Sequence, residues 1–327
     1  MCNDNLDIID KMFLIVYPPI FMVLGVFNNA IIFILMTFNL QKNNINQDHV
    51  TIYYWALSIG DGMSCIFQML PKWINFTFNI DLYSKSELLC RILPKFIPFT
   101  TSDFSIWLVV LMTIDRFTRI YFPLQFKMIF QIKRVYQSLI LLVIIAFFKN
   151  FIFIFENTIM GKCTFNNETA IAGYFVSGIS FIISLVVVSI LPVGAVIILN
   201  ILILIKWKKI FPIQLNSNRC EVNRFSKTST RVFLTISISF SIFLTPYFLV
   251  LPFSIFPFSD VCQKSIYFFI LHLTQSLFFL NHFTNFYFYI LLSASYRKIL
   301  RKFIRKICFL QFKNQVTPQS VGQSIFD

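Results

Sequence analysis

FIPFTTSDFSIWLVVLMTIDRFTRIYF, residues Phe96–Phe122, is the stretch on which the fold turns. It is longer than the about 20 residues that a membrane-crossing helix needs, and far longer than the about 10 alternating residues of a barrel strand. Asp103 interrupts its first half, and the pair Asp115–Arg116 closes its far end. Ionisable groups inside a bilayer are costly, so each marks a functional position. Arg116 alone reads as a side chain snorkelling to the interface, but that leaves the acid beside it unexplained. A pair that neutralises itself in one state and frees the arginine in another suits a two-state element.

Six more apolar segments flank this one, at about 12–38, 50–74, 135–155, 171–205, 231–260 and 264–297. Only 13% of the 327 residues are charged and 57% are hydrophobic. So few charges cannot clothe a soluble surface. There is no repeat at a fixed period and no cleavable signal peptide, so the first helix is expected to act as its own insertion signal. The expected fold is all-α, a seven-transmembrane helix bundle.

The net charge of +14 sets the orientation. With the N-terminus outside, 20 of the 28 Lys and Arg residues fall on the inner side, which favours N-out, C-in. That places the acceptor triplets at Asn75 and Asn167 outside, as glycosylation sites require. Asn75 lies close to the end of the second helix, near the limit of the transferase's reach. Cys90 and Cys163 also fall outside, where an oxidising face permits a disulfide. Two free thiols among the seven cysteines are the alternative, and spacing alone does not give the connectivity. Cys2 and Cys262 share that face, with a bridge between them the weaker expectation.

Inside the bilayer, Asp61 stands alone in the second segment. Asn29, Ser105, Asn281, His282 and Asn285 lie on three others and converge on it if the helices bundle. A carboxylate among such neighbours holds a small cation or a water network. The alternative, hydrogen bonds that only glue helices together, brings less than about 1 kcal/mol each on average. A switch role explains the lone acid better. Pro192 and Pro246, each mid-span, predict bends that let inner half-helices swing.

At these residues the chain resembles the rhodopsin-like (class A) G-protein-coupled receptors, over about residues 12–308. Gly25–Asn29 is similar to the family's G-x-x-G-N, and Leu57–Asp61 to L-x-x-x-D. Asp115-Arg116-Phe117 resembles D-R-Y, with Pro123-Leu124 following. Phe240 and Pro246 match F-x-x-x-W-x-P, and Asn285–Tyr289 resembles N-P-x-x-Y. The departures are Leu244 for the sixth-helix Trp, Phe286 for the seventh-helix Pro, Asn200 for the fifth-helix Tyr, no fourth-helix Trp, and Cys90 one residue further from Arg116 than usual.

The resemblance implies a plasma-membrane, multi-pass receptor, not an enzyme, that activates a heterotrimeric G protein through Arg116 and Tyr289. It also implies a Cys90–Cys163 disulfide. Asp61, Ser105, Asn281 and Asn285 would form a sodium pocket with His282 as an extra member, the only cofactor expected. A protonated His282 competes with that ion, so sodium dependence is expected to fall at lower pH. No acid occupies the inner start of the sixth helix, so an ionic lock to Arg116 is not expected.

The ligand is less legible. The amine-receptor Asp aligns at about Pro98 and the retinal Lys is missing, which disfavours a monoamine receptor and a light sensor. The outer face carries nine acids and eight bases and is near neutral. The invertebrate neuropeptide receptors resemble the chain best. A chemosensory receptor for small molecules is the runner-up. A transporter is less favoured, because inverted repeats and matched broken helices are absent.

The expected organisation is an extracellular N-terminus (1–11), the receptor domain (12–296), an amphipathic membrane-surface helix (297–310) and a disordered cytoplasmic tail (311–327). In the surface helix, Ile299, Leu300, Phe303, Ile304 and Ile307 share one face and basic residues take the other, a pattern for anionic lipids. Cys308 is a candidate palmitoylation site. Three His and few carboxylates supply no metal cluster, there is no Gly-rich phosphate loop, and the charge is assigned to membrane rather than nucleic acid.

Overall fold

A computed structural model describes residues 2–42, 49–123, 125, 131–154, 178–179, 181–214, 220–255, 260–294 and 296–305. Seven long helices follow one another: α1 (Cys2–Lys42), α2 (His49–Phe78), α3 (Phe96–Tyr121), α4 (Ile132–Asn150), α5 (Leu191–Gln214), α6 (Cys220–Val250) and α7 (Val261–Leu292). An eighth, α8, covers 296–305. No strand occurs among the described residues.

Six of the helices are long and apolar enough to cross a membrane by length and composition. α2 is the seventh member of the bundle. It packs against α1, α3, α4 and α7, and those neighbours shelter the polar residues that lower its hydropathy. α3 touches α2, α4, α5 and α6 and forms the centre. Two glycines set the spacing. A Cβ on Gly25 would strike the Cys65 side chain of α2, and one on Gly60 would strike Ser105 and Phe104 of α3. Outward faces carry exposed Ile, Leu and Phe, such as Phe148 and Leu291, as lipid contact requires.

α1 starts at Cys2, ahead of the apolar run at Met12. α2 ends where Asn79 takes a left-handed conformation (φ 53°), which Asn tolerates at a helix terminus. A short helix, Glu87–Ile92, follows, capped by Ser86, whose Oγ accepts from the Leu89 N–H. Its Cys90 is disulfide-bonded. Cys262 is disulfide-bonded as well and is not a free thiol. Cys163, Asn167 and Cys308 lie outside the described residues.

Of the two prolines expected to bend a helix, Pro192 has a local irregularity beside it, while α6 is helical through Pro246. A π-helical turn, Leu185–Ile190, immediately precedes Pro192. The proline ring cannot share space with the carbonyl four residues back, and widening the turn relieves the clash. Four residues beyond Pro246, α6 gives way to a 3₁₀ turn, Leu251–Ile255. α7 runs unbroken through Phe286, where the family pattern has proline.

The Arg297 guanidinium donates to the carbonyls of Ile290 (2.7 Å) and Leu291 (2.9 Å). That satisfies the last turn of α7 and turns the chain into α8. Ile299, Leu300 and Phe303 of α8 pack against the core, and Phe303 meets Phe38 of α1. Ile304, expected on that face, is 49% exposed. Successive residues sit about 100° apart on a helix, and Ile304 falls just beyond the packed stripe.

Candidate functional site

The polar residues of the helices form one buried path from the middle of the bundle to its inner end. At its centre Asp61 of α2 is fully buried. His282 of α7 approaches its Oδ1 through Nδ1 at 2.7 Å, and Asn285 Nδ2 donates to its Oδ2 at 2.9 Å. The contact needs one proton shared between the ring nitrogen and the carboxyl oxygen. His282 Nε2 is buried with no hydrogen-bond partner among the described residues, and its ring lies against Phe278 and Phe279.

Asn29 of α1 does not reach Asp61. Its Nδ2 donates to the His282 carbonyl at 2.7 Å and to the Gly25 carbonyl at 2.9 Å. It therefore fixes the backbone that carries the histidine. Asn28 donates to the next carbonyl, Phe283, at 3.3 Å. Ser105 Oγ is buried without a hydrogen-bond partner among the described residues. Asn281 is buried, and no hydrogen bond joins it to Asp61.

Within the expected sodium pocket, His282 and Asn285 are the direct partners of the acid. A cation needs oxygen lone pairs, and each Asp61 oxygen already has one nitrogen neighbour.

Towards the inner end, Asn285 is followed one turn on by Tyr289, which is buried and in ring contact with Tyr54 of α2 (4.3 Å) and Tyr296 of α8 (5.2 Å). Phe240 and Leu244 of α6 are fully buried in the same core. Leu244 thus fills the tryptophan position of the family pattern as packing.

Asp115 and Arg116 are both buried at the inner end of α3. They approach only loosely, with Arg116 Nε 3.9 Å from Asp115 Oδ2. Asp115 Oδ1 lies 3.4 Å from Nε2 of His49, at the first residue of α2, and His49 also contacts Arg119. The Arg116 guanidinium sits over the ring of Phe233 on α6, 4.0 Å from its centroid. The contact of Arg116 with α6 is therefore a cation–π contact. Beside it, Ser237 of α6 donates to Asn200 of α5 at 2.9 Å. Asn200, the departure from the family's tyrosine, ties α5 to α6.

Towards the outer end, Asp103 and Lys149 are not rim charges. Lys149 Nζ donates to Asp103 Oδ2 at 2.6 Å and Asn150 Nδ2 donates to the same oxygen at 2.7 Å, inside the α3–α4 contact. This removes one acid and one base from the outer count and leaves it near neutral. His272 of α7 lies 2.8 Å from Asp10 of α1.

Between the helices near this end is a cavity of about 290 Å³, lined by Gln68, Lys72, Pro98 and Ser102, by α6 residues Tyr247 and Phe248, and by Gln275 and Phe278 of α7. No acid lines it among the described residues. Sequence reading missed His49, Phe233 and Lys72. The lysine carries a signal, as one of few charges within the second apolar segment.

A family model described as 7 transmembrane receptor (rhodopsin family) matches residues 28–289. No curated protein matches the chain. The matched span covers most of the chain, including Asn29 of the first motif, the four later motif segments and Asp61, Arg116 and Tyr289. The chain therefore belongs to the rhodopsin family of seven-transmembrane receptors, multi-pass proteins of the plasma membrane.

Proposed function

We propose that this receptor binds an extracellular neuropeptide and activates a heterotrimeric G protein at its inner face. The observation that carries the reading is Arg116, buried beside Asp115 and stacked on the Phe233 ring of α6. Outward movement of the inner half of α6 carries Phe233 away and exposes the guanidinium to the inner face. The π turn before Pro192 and the proline inside α6, which removes one backbone hydrogen bond, supply the bendable points such movement needs.

The outer cavity supports a ligand site in the same bundle. Its acid-free lining agrees with the sequence reading that a monoamine ligand is disfavoured. At about 290 Å³ it lies at the small end of ligand pockets, which suits one terminus of a peptide. That size also keeps the second reading, a chemosensory receptor for small molecules. Cys90, disulfide-bonded at the outer edge of α3, is paired in this account with Cys163. Anionic lipids meet the basic face of α8.

A peptide library applied to cells expressing the full chain with a promiscuous G protein tests the function. A ligand-evoked response that disappears in Arg116→Ala is expected. A response that Arg116→Ala leaves intact contradicts the mechanism.

A further inference from the structure

The outer cavity has a chemical bias that deepens this reading and rests on it. Its walls are mostly aromatic and aliphatic, including Phe99, Tyr247, Phe248 and Phe278. The charged groups among the described lining residues are both cationic, Lys72 of α2 and Lys95 at the start of α3. The Lys95 ammonium stands 5.6 Å from the Phe153 ring centroid. Lys72 is half-buried, and no hydrogen bond or ion pair is recorded for it among the described residues. The nearby acid Asp103 is already engaged by Lys149 and Asn150 and faces α4. Ser184 Oγ, also lining the cavity, is buried without a hydrogen-bond partner among the described residues.

An ammonium held in an apolar recess without a counter-charge is costly, and an anion placed against it recovers that cost. A hydroxyl and the Gln275 amide offer further donors to an anion's oxygens. Among the described lining residues a cationic ligand would meet two lysines and no acid.

We infer that Lys72 is the anchor for an anionic group, a carboxylate, on a ligand whose aromatic or aliphatic body fills the remainder of the outer cavity. The carboxylate comes either from the C-terminus of a peptide or from a free aromatic acid. Lys72 holds one carboxylate oxygen, Ser184 and Gln275 are within the same lining for the other, and the rings of α6 and α7 cover the apolar body. Expelling water from around the pair strengthens it.

The test uses the purified full chain in nanodiscs and two matched probe pairs. One pair is the N-acetylated dipeptide of two phenylalanines, as free acid and as amide. The other is 4-phenylbutanoate and 4-phenylbutanamide. Ligand that binds only the folded state raises the melting temperature with concentration, and the titration gives an apparent affinity.

At least one acid is expected to bind at least tenfold more tightly than its own amide. Lys72→Gln should erase the difference and Lys72→Arg should keep it. A dipeptide acid that outperforms phenylbutanoate assigns the carboxylate to a peptide, and the reverse order assigns it to a free acid. Equal binding of acid and amide, binding by neither acid, or a preference that survives Lys72→Gln overturns the inference. If Lys72→Gln lowers the unliganded melting temperature, the acid–amide comparison on the unaltered chain still decides. Binding is read without a G protein, so failure of coupling leaves this result standing and failure here leaves coupling untouched.

Discussion

His282 and Asp61 meet through Nδ1 and Oδ1 at 2.7 Å in the middle of the bundle, both sealed from solvent. The contact joins α7 to α2 across most of the chain's length in sequence. It also places a ring nitrogen against one of the two oxygens that a cation would use. In this account the imidazole does the ion's work of holding the two helices together.

Removing the ring exposes that substitution. His282→Ala leaves a buried carboxylate with one donor fewer, a loss on the order of 3–5 kcal/mol. The variant should melt lower and should gain a response to sodium. Basal nucleotide exchange compared in sodium chloride and in a salt of a bulky organic cation checks it. The unaltered chain should show little difference between the two salts and the variant a clear one. Equal sodium sensitivity in both would show that His282 does not fill the ion's place.

Phe233 offers a second handle. A desolvated cation–π contact contributes about 2 kcal/mol, which corresponds to a shift of roughly thirtyfold in a two-state equilibrium. Phe233→Leu keeps most of the bulk and removes the ring. Basal G-protein activation should rise while surface expression stays near that of the parent. Unchanged basal activity would mean that the ring does not restrain Arg116.

The Asp103–Lys149 pair predicts non-additive stability. Lys149→Met alone leaves Asp103 buried with only Asn150 as donor and should cost several kcal/mol. The double change Asp103→Asn with Lys149→Met should cost less than the single one. Melting temperatures of the parent, Lys149→Met, Asp103→Asn and the double variant in detergent decide it. Additive losses would place the lysine outside the bundle.

Glycan mapping separates the two acceptor triplets. Asn75 is exposed but sits inside the last turn of α2, close to the membrane end of the helix. Asn75→Gln should leave the glycosidase-sensitive gel mobility unchanged, while Asn167→Gln should remove one glycan. The opposite pattern would place the end of α2 further from the membrane.

Much of this was legible in the residue order. Seven long apolar runs give seven helices because each must satisfy its backbone internally in lipid. Asp61 and Asn285 meet as expected, since both are costly inside a bilayer and each needs a partner. Other features were hidden for physical reasons. His49 lies at the edge of a loop, and only the tertiary fold brings it to Asp115. Asp103 read as an ionisable group inside the third segment, but its partner Lys149 was hidden, because hydropathy says nothing about which neighbour a side chain faces. Pro192 announced a bend, but the π turn depends on how α5 packs, which a single residue does not encode. The Phe233 contact with Arg116 was hidden among 43 phenylalanines.

The central claim is that Arg116 transmits activation to a G protein. Its most direct test is guanine-nucleotide exchange on purified heterotrimeric G protein with the full chain in nanodiscs. The parent chain should accelerate exchange, Phe233→Leu should accelerate it further, and Arg116→Ala should return it to the rate of empty nanodiscs. Equal exchange with the parent chain and with Arg116→Ala would contradict the account.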